Sequence, residues 1–136
     1  MPSFTPKLKQ LLRDAGCFSK MKSSVEIITS RDVDKGKIYT CKCANAKIEV
    51  LFLNHSIERA KKWRLSIQQI AECLLLPDEV VIGHFDRYIA HKVVGKHIIR
   101  AVYEYVETLP TLVTVYFPHA GRYFQGGLTY EDKILD

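Results

Sequence analysis

"HFDRYIAHKVVGKHIIRAVYEYV", residues 84–106, decides how the rest of the chain is read. β-Branched and aromatic residues alternate along it, and "GK" at 95–96 interrupts them. It therefore reads as two antiparallel strands turning at Val94-Gly95-Lys96-His97. On the first strand Tyr88, Ala90, Lys92 and Val94 share one face, and Arg87, Ile89, His91 and Val93 the other. On the second, Ile98, Arg100, Val102 and Glu104 oppose His97, Ile99, Ala101, Tyr103 and Tyr105. Neither strand separates polar from apolar cleanly. Both sheet faces are expected to be partly covered, with cations near the edges.

Working outward, "EVVIG" (79–83) and "TLVTVYFP" (111–118) extend this pair to a four-stranded meander joined through "HFD", "GK" and "TLP". Before it the period changes to that of a helix. "NHSIERAKKW" (54–63) spaces Ile57, Ala60 and Trp63 on one side. In "SIQQIAECLLL" (66–76), Ser66 and Gln69 form a capping-box pattern, and Pro77 marks the end. These are two short helices, or one bent about "RLS". Further upstream "VEIIT", "KIYTCKC" and "AKIEVLFL" read as strands. The first two pair across "SRDVDKG", a hairpin or a broad loop, or the last two pair across "ANA". "TPKLKQLLRDAG" (5–16) reads as a helix capped by Thr5, opened by Pro6 and ended by Gly16. The expectation is a basic N-terminal helix and linker over 1–24, then one α+β domain over 25–136. In that domain a mainly antiparallel curved sheet packs against central helices.

The chain has 136 residues, enough for one core and too few for two. Twenty Lys and Arg against fifteen Asp and Glu give a net charge of +5, which mildly favours an acidic partner. The excess is local. Residues 84–100 carry Arg87, Lys92, Lys96 and Arg100 against Asp86 alone, while the last residues are acidic. No run approaches the roughly 18 to 20 apolar residues of a membrane helix, and no signal peptide is evident, so a cytoplasmic protein is expected. Cys17, Cys41, Cys43 and Cys73 are spaced too irregularly for a disulfide scaffold. "CKC" alone supplies too few thiols for a metal site. Small, buried or half-buried thiols are expected, with no metal and no cofactor. A P-loop, a dinucleotide fingerprint, HExxH and GxSxG are all missing from the sequence.

Cleaving RNA without a metal needs a base and an acid near the 2′-hydroxyl and the leaving oxygen, and cations on the developing phosphorane charge. Histidine suits the proton transfer, and tyrosine positions phosphate or stacks on a base. The residues available for these roles are His55, Arg59, His84, Arg87, His91, Lys92, His97, Arg100, His119, Arg122 and Tyr123. Taken singly, each is more often an ordinary surface or core residue.

Four stretches carry a resemblance: "HSIERAKKWRLSIQQIAECLLLPDEVVIG", "RYIAHKVVG", "IIRAVYEY" and "LVTVYFP". Together they resemble the small bacterial and archaeal DUF4258 family, related to the RelE/ParE and BrnT-like toxin folds. The similarity spans about residues 48–117 and extends loosely through "RYFQGGLTYEDKIL". It implies a RelE-like ribonuclease scaffold, neutralised in relatives by an antitoxin. Residue by residue, the family's leading histidine looks like His55 and its helix arginine like Arg59. The basic strand position looks like Arg87, and the cation before "VYE" like Arg100.

The expected function is therefore a metal-independent endoribonuclease of toxin–antitoxin type. Arg87, Lys92 and Arg100 would hold phosphate, and His55 or His97 would move protons. Arg59, Lys96, Arg122 and Tyr123 would add RNA contacts beside Lys92. The expected partners are RNA and a small antitoxin protein, with no membrane; a homodimer is left open. The alternative is a non-enzymatic module that binds protein or nucleic acid through the same basic face.

Overall fold

A computed structural model describes residues 25–43, 45–127 and Ile134. The expected N-terminal helix and the acidic pair Glu131–Asp132 lie outside these residues. The elements are β1 (Glu26–Val33), β2 (Gly36–Cys43), β3 (Ala46–Leu53), α1 (Asn54–Lys62), α2 (Ile67–Leu75), β4 (Glu79–Ile82), β5 (Tyr88–Val94), β6 (His97–Val106), β7 (Leu109–Tyr116) and the single turn α3 (Ala120–Tyr123). All seven strands form one sheet in the order β1-β2-β3-β7-β6-β5-β4. It is an α+β fold with a mixed sheet packed against helices. Among the described residues no helix is long and apolar enough to cross a membrane.

The sheet is two antiparallel meanders, β1-β2-β3 and β4-β5-β6-β7. They meet where β3 runs parallel to β7, with Leu51 opposite Thr111 and Phe52 opposite Leu112. The two strand pairings expected as alternatives near the N-terminus both exist. Across "SRDVDKG" the connection is the hairpin and not the broad loop. β1 continues to Val33, and only Asp34 and Lys35 make the turn. Its polar residues fit a strand because β1 is an edge strand, exposed along almost its whole length. There Arg31 pairs with Glu49 at 2.9 Å.

Between β3 and β4 the described residues form two helices, as one of the two expected arrangements has it. Ser66 caps α2 and accepts from the Gln69 N–H at 3.0 Å, while the Gln69 side chain accepts from the Ser66 N–H at 2.9 Å. α1 lacks such a cap, and the buried Ser56 hydroxyl instead donates to the Leu53 carbonyl at 2.7 Å. Ile70, Ala71, Cys73, Leu74 and Leu75 of α2 are all buried. Across the four strands beneath, Val80, Ala90, Ala101 and Val115 lie directly opposite one another, all buried. The two alanines in that row leave room for Cys73 to reach the backbone. Its thiol donates to the carbonyls of Ala90 (3.4 Å) and Ile99 (3.6 Å).

Cys41 and Cys73 are free and buried, as expected. Burial raises both thiols, Cys41 to about 11. Cys43 departs from the expectation, since it is disulfide-bonded.

Gly36 stands at the start of β2, opposite Leu53, where a Cβ would lie 2.0 Å from the Phe52 carbonyl oxygen. Gly36→Ala should therefore push β2 off β3 and destabilise the protein by about 1–3 kcal/mol, read as a lower urea midpoint. Gly121→Ala, whose Cβ meets nothing within 4 Å, should leave the midpoint unchanged.

Candidate nucleic-acid interface

One residue out of phase with the core row, the same four strands carry a second row. Glu79 faces His91, His91 faces Arg100 and Arg100 faces Tyr116. Side chains alternate along a strand, so this row points away from the helices. It starts at a fully buried carboxylate and ends at an exposed phenol. Sequence periodicity had already put His91 and Arg100 out of phase with the core residues Ala90 and Ala101. Strand pairing adds that they touch.

The contacts along the row fix its protonation. His91 Nδ1 lies 2.6 Å from Glu79 Oε2, and Arg100 Nη1 lies 2.9 Å from His91 Nε2. A guanidinium only donates, so His91 Nε2 must accept and its proton sits on Nδ1, facing Glu79. The imidazole is neutral. Burial lowers the His91 pKa, opposed by its hydrogen bond to Glu79 and reinforced by the charge on Arg100. Burial also lowers Arg100, yet the group stays protonated.

Glu79 accepts two further bonds from the backbone. The Gln125 N–H donates to Oε2 at 2.7 Å and the Gly127 N–H to Oε1 at 3.0 Å. Gly126 and Gly127 have φ of +88° and +90°, a left-handed backbone that glycine adopts at no steric cost. That conformation is why "QGG" can turn its amides onto the carboxylate. The same segment carries Tyr123, whose ring lies 4.2 Å beneath the Arg100 guanidinium. Glu79 thus holds Arg100 from one side, through His91, and anchors the chain that presents Tyr123 from the other.

Two grooves flank the Arg100–Tyr123 pair. One, of about 390 Å³, is walled by Val81, Ile82, Ile89 and Gln125 as well as the pair. The other, of about 410 Å³, adds Trp63, Tyr116, Phe117, Pro118 and Arg122 to the pair. His97 is stacked between Phe117 and His119, with ring centroids 4.9 and 4.4 Å away. The turn before it is tied to this segment, because the Ala120 N–H donates to the Lys96 carbonyl at 2.9 Å.

The sequence-predicted residues are only partly brought together. Arg100, Arg122 and Tyr123 line the grooves, and His97 sits behind Phe117. Lys96 is exposed at the adjoining turn. Arg59 lies one helical turn before Trp63 on the same side of α1.

The other three lie elsewhere. His55 is exposed at the opposite end of α1 from Trp63, about 12 Å away along the helix axis. Arg87 pairs with Glu104 at 3.3 Å, four positions along β6 from Arg100. Lys92 is on the helix-facing side of β5, where its ammonium donates to the Leu76 carbonyl at the end of α2. A cation at a helix C-terminus is a structural use of that charge. His55, Arg87 and Arg100 therefore do not converge, because register and helix direction separate them.

Glu79, Trp63, Tyr116 and Phe117 were not singled out as site residues. The signal for Glu79 was its place at the head of an otherwise apolar strand, which becomes informative only once β4 is registered on β5. Among the described residues, no group of three or more His, Cys, Asp or Glu could hold a metal ion. No family model, curated protein or solved structure matches the chain.

Glu79→Gln replaces an anionic acceptor of three donors with an amide that must turn one end of its own toward them. It should cost about 2–4 kcal/mol, measured by urea denaturation.

The His91 imidazole binds protons more weakly in the folded chain than at its ordinary value of 6.5. Below that pH the unfolded state binds more protons, so stability falls as pH drops through this window toward the folded pKa. The urea midpoint should decline between pH 7.5 and pH 5, and His91→Gln should flatten that slope.

Proposed function

We propose that the Arg100-centred face binds single-stranded RNA and cleaves it without a metal, as a toxin acting in the cytoplasm and restrained by a small antitoxin protein. The observation that carries this reading is Arg100 itself. Its guanidinium is half-buried between two grooves and held by a neutral histidine. It meets no carboxylate among the described residues, whereas Arg31 and Arg87 are both ion-paired. A fixed cation in a partly desolvated groove suits the charge that builds on a phosphorane. The resemblance to the DUF4258 and RelE-like toxins, carried by the sequence stretches between His55 and Pro118, supports the same reading.

In the proposed step, the 2′-oxygen attacks the adjacent phosphorus and the bond to the 5′-oxygen breaks. The products are a 2′,3′-cyclic phosphate and a 5′-hydroxyl. The 2′-proton goes to a base, and an acid gives a proton to the departing oxygen. His97, which stacks on the groove residue Phe117, and His119, which stacks on His97, would share this transfer in place of His55. Arg100 would stabilise the phosphorane, and Arg122 and Tyr123 would position the strand.

A second reading is favoured by the separation of His55 and Arg87 from Arg100. It is a non-enzymatic module that binds RNA on the same face. Incubating the purified protein with RNA in EDTA separates the two. Under the first reading RNA is cut, Arg100→Ala lowers the rate by about 10²–10³-fold, and His119→Ala cuts the rate while leaving binding intact. Binding without cleavage supports the module, and absence of both sinks either reading. In both, Arg100→Ala should reduce the dependence of log affinity on log salt by about 0.7.

A further inference from the structure

Arg100 and Tyr123 belong to both grooves, forming the partition between them. The walls on the two sides differ in kind. One groove is built of Trp63, Tyr116 and Phe117 with Arg122 at its rim, a set of flat faces and a cation. The other is built of Val81, Ile82 and Ile89 with the single amide of Gln125, a slot with one polar contact. Each volume lies at the lower end of the roughly 300–1,000 Å³ of small-molecule sites. That is room for one nucleotide apiece.

We propose that the two grooves are consecutive nucleotide subsites, with the linking phosphate on Arg100, one base stacked in the aromatic groove and its neighbour in the aliphatic slot. The proposal rests on the RNA reading and sharpens it to a dinucleotide step of a single strand. Two bases seated on opposite sides of a partition must be unstacked from each other, which a duplex does not allow. The aromatic groove accepts any base, because every base has a π-face. Discrimination falls to the aliphatic slot, where Gln125 can hydrogen-bond one base edge.

Trp63 is the only tryptophan of the chain and lines the aromatic groove alone. Its fluorescence therefore reports that groove. Ile82 is 58% exposed on the other wall, so Ile82→Trp in a Trp63→Phe background reports the slot. A dinucleoside monophosphate should change both signals and bind the unmodified protein about tenfold or more tighter than a nucleoside monophosphate. Arg100→Ala should abolish both changes.

A dinucleoside monophosphate that binds no tighter than the mononucleotide overturns the subsite pair, and the unmodified protein alone can show this. So does a dinucleotide that perturbs one reporter only. Long single-stranded RNA distinguishes the levels of failure. If it binds in an Arg100-dependent way while the dinucleotide fails, the subsites fall and the RNA reading stands. If it does not bind, both fall.

Discussion

The face opposite the helices depends on one buried carboxylate. Glu79 is wholly out of water and would be prohibitively costly there as a bare anion. Three donors make it tolerable: one imidazole N–H and two backbone amides contributed from more than forty residues further along the chain. Each of those donors is constrained in return. The imidazole is left with a single tautomer and an accepting nitrogen toward Arg100. The segment around Gln125 is left with its glycines turned inward and Tyr123 beneath the guanidinium. A single side chain on a four-residue edge strand thereby sets the orientation of a cation two strands away.

Much of the fold could be read in the amino-acid sequence because local rules and tertiary demands agree there. The alternation of β4 to β7, the two short helices, the Ser66 cap and the turn at Gly95–Lys96 all follow from patterns of a few residues. "SRDVDKG" left a hairpin and a broad loop both open because polarity is a poor sign of a loop on an edge strand, where one side of the ladder already faces water. The parallel meeting of β3 and β7 had no local signature at all. It depends on where a two-helix crossover delivers the chain, which is a tertiary property.

The candidate site was legible in composition and only half legible in place. Periodicity put Arg100 and His91 each on a face of its own strand, but it could not say that strand pairing joins them in one row or that an edge-strand glutamate completes it. It grouped Lys92 with the other cations although the helix-facing side of β5 commits it to the end of α2. The family resemblance set His55 beside Arg100, whereas α1 leaves His55 at its far end and Trp63 comes to the groove instead. In each case a shift of one residue, or the direction of one helix, decides between a site residue and a structural one.

The narrow seam between the meanders has a kinetic consequence. Its two registered pairs, Leu51–Thr111 and Phe52–Leu112, join residues about sixty positions apart, whereas each meander is built from neighbours in sequence. Closing the seam requires ordering a long loop before any reward is collected. The hairpins are thus expected to nucleate independently, with docking across β3 and β7 as the slow event. A chain caught before that event would expose the flank of β7, a central strand in the finished sheet, as a temporary open edge.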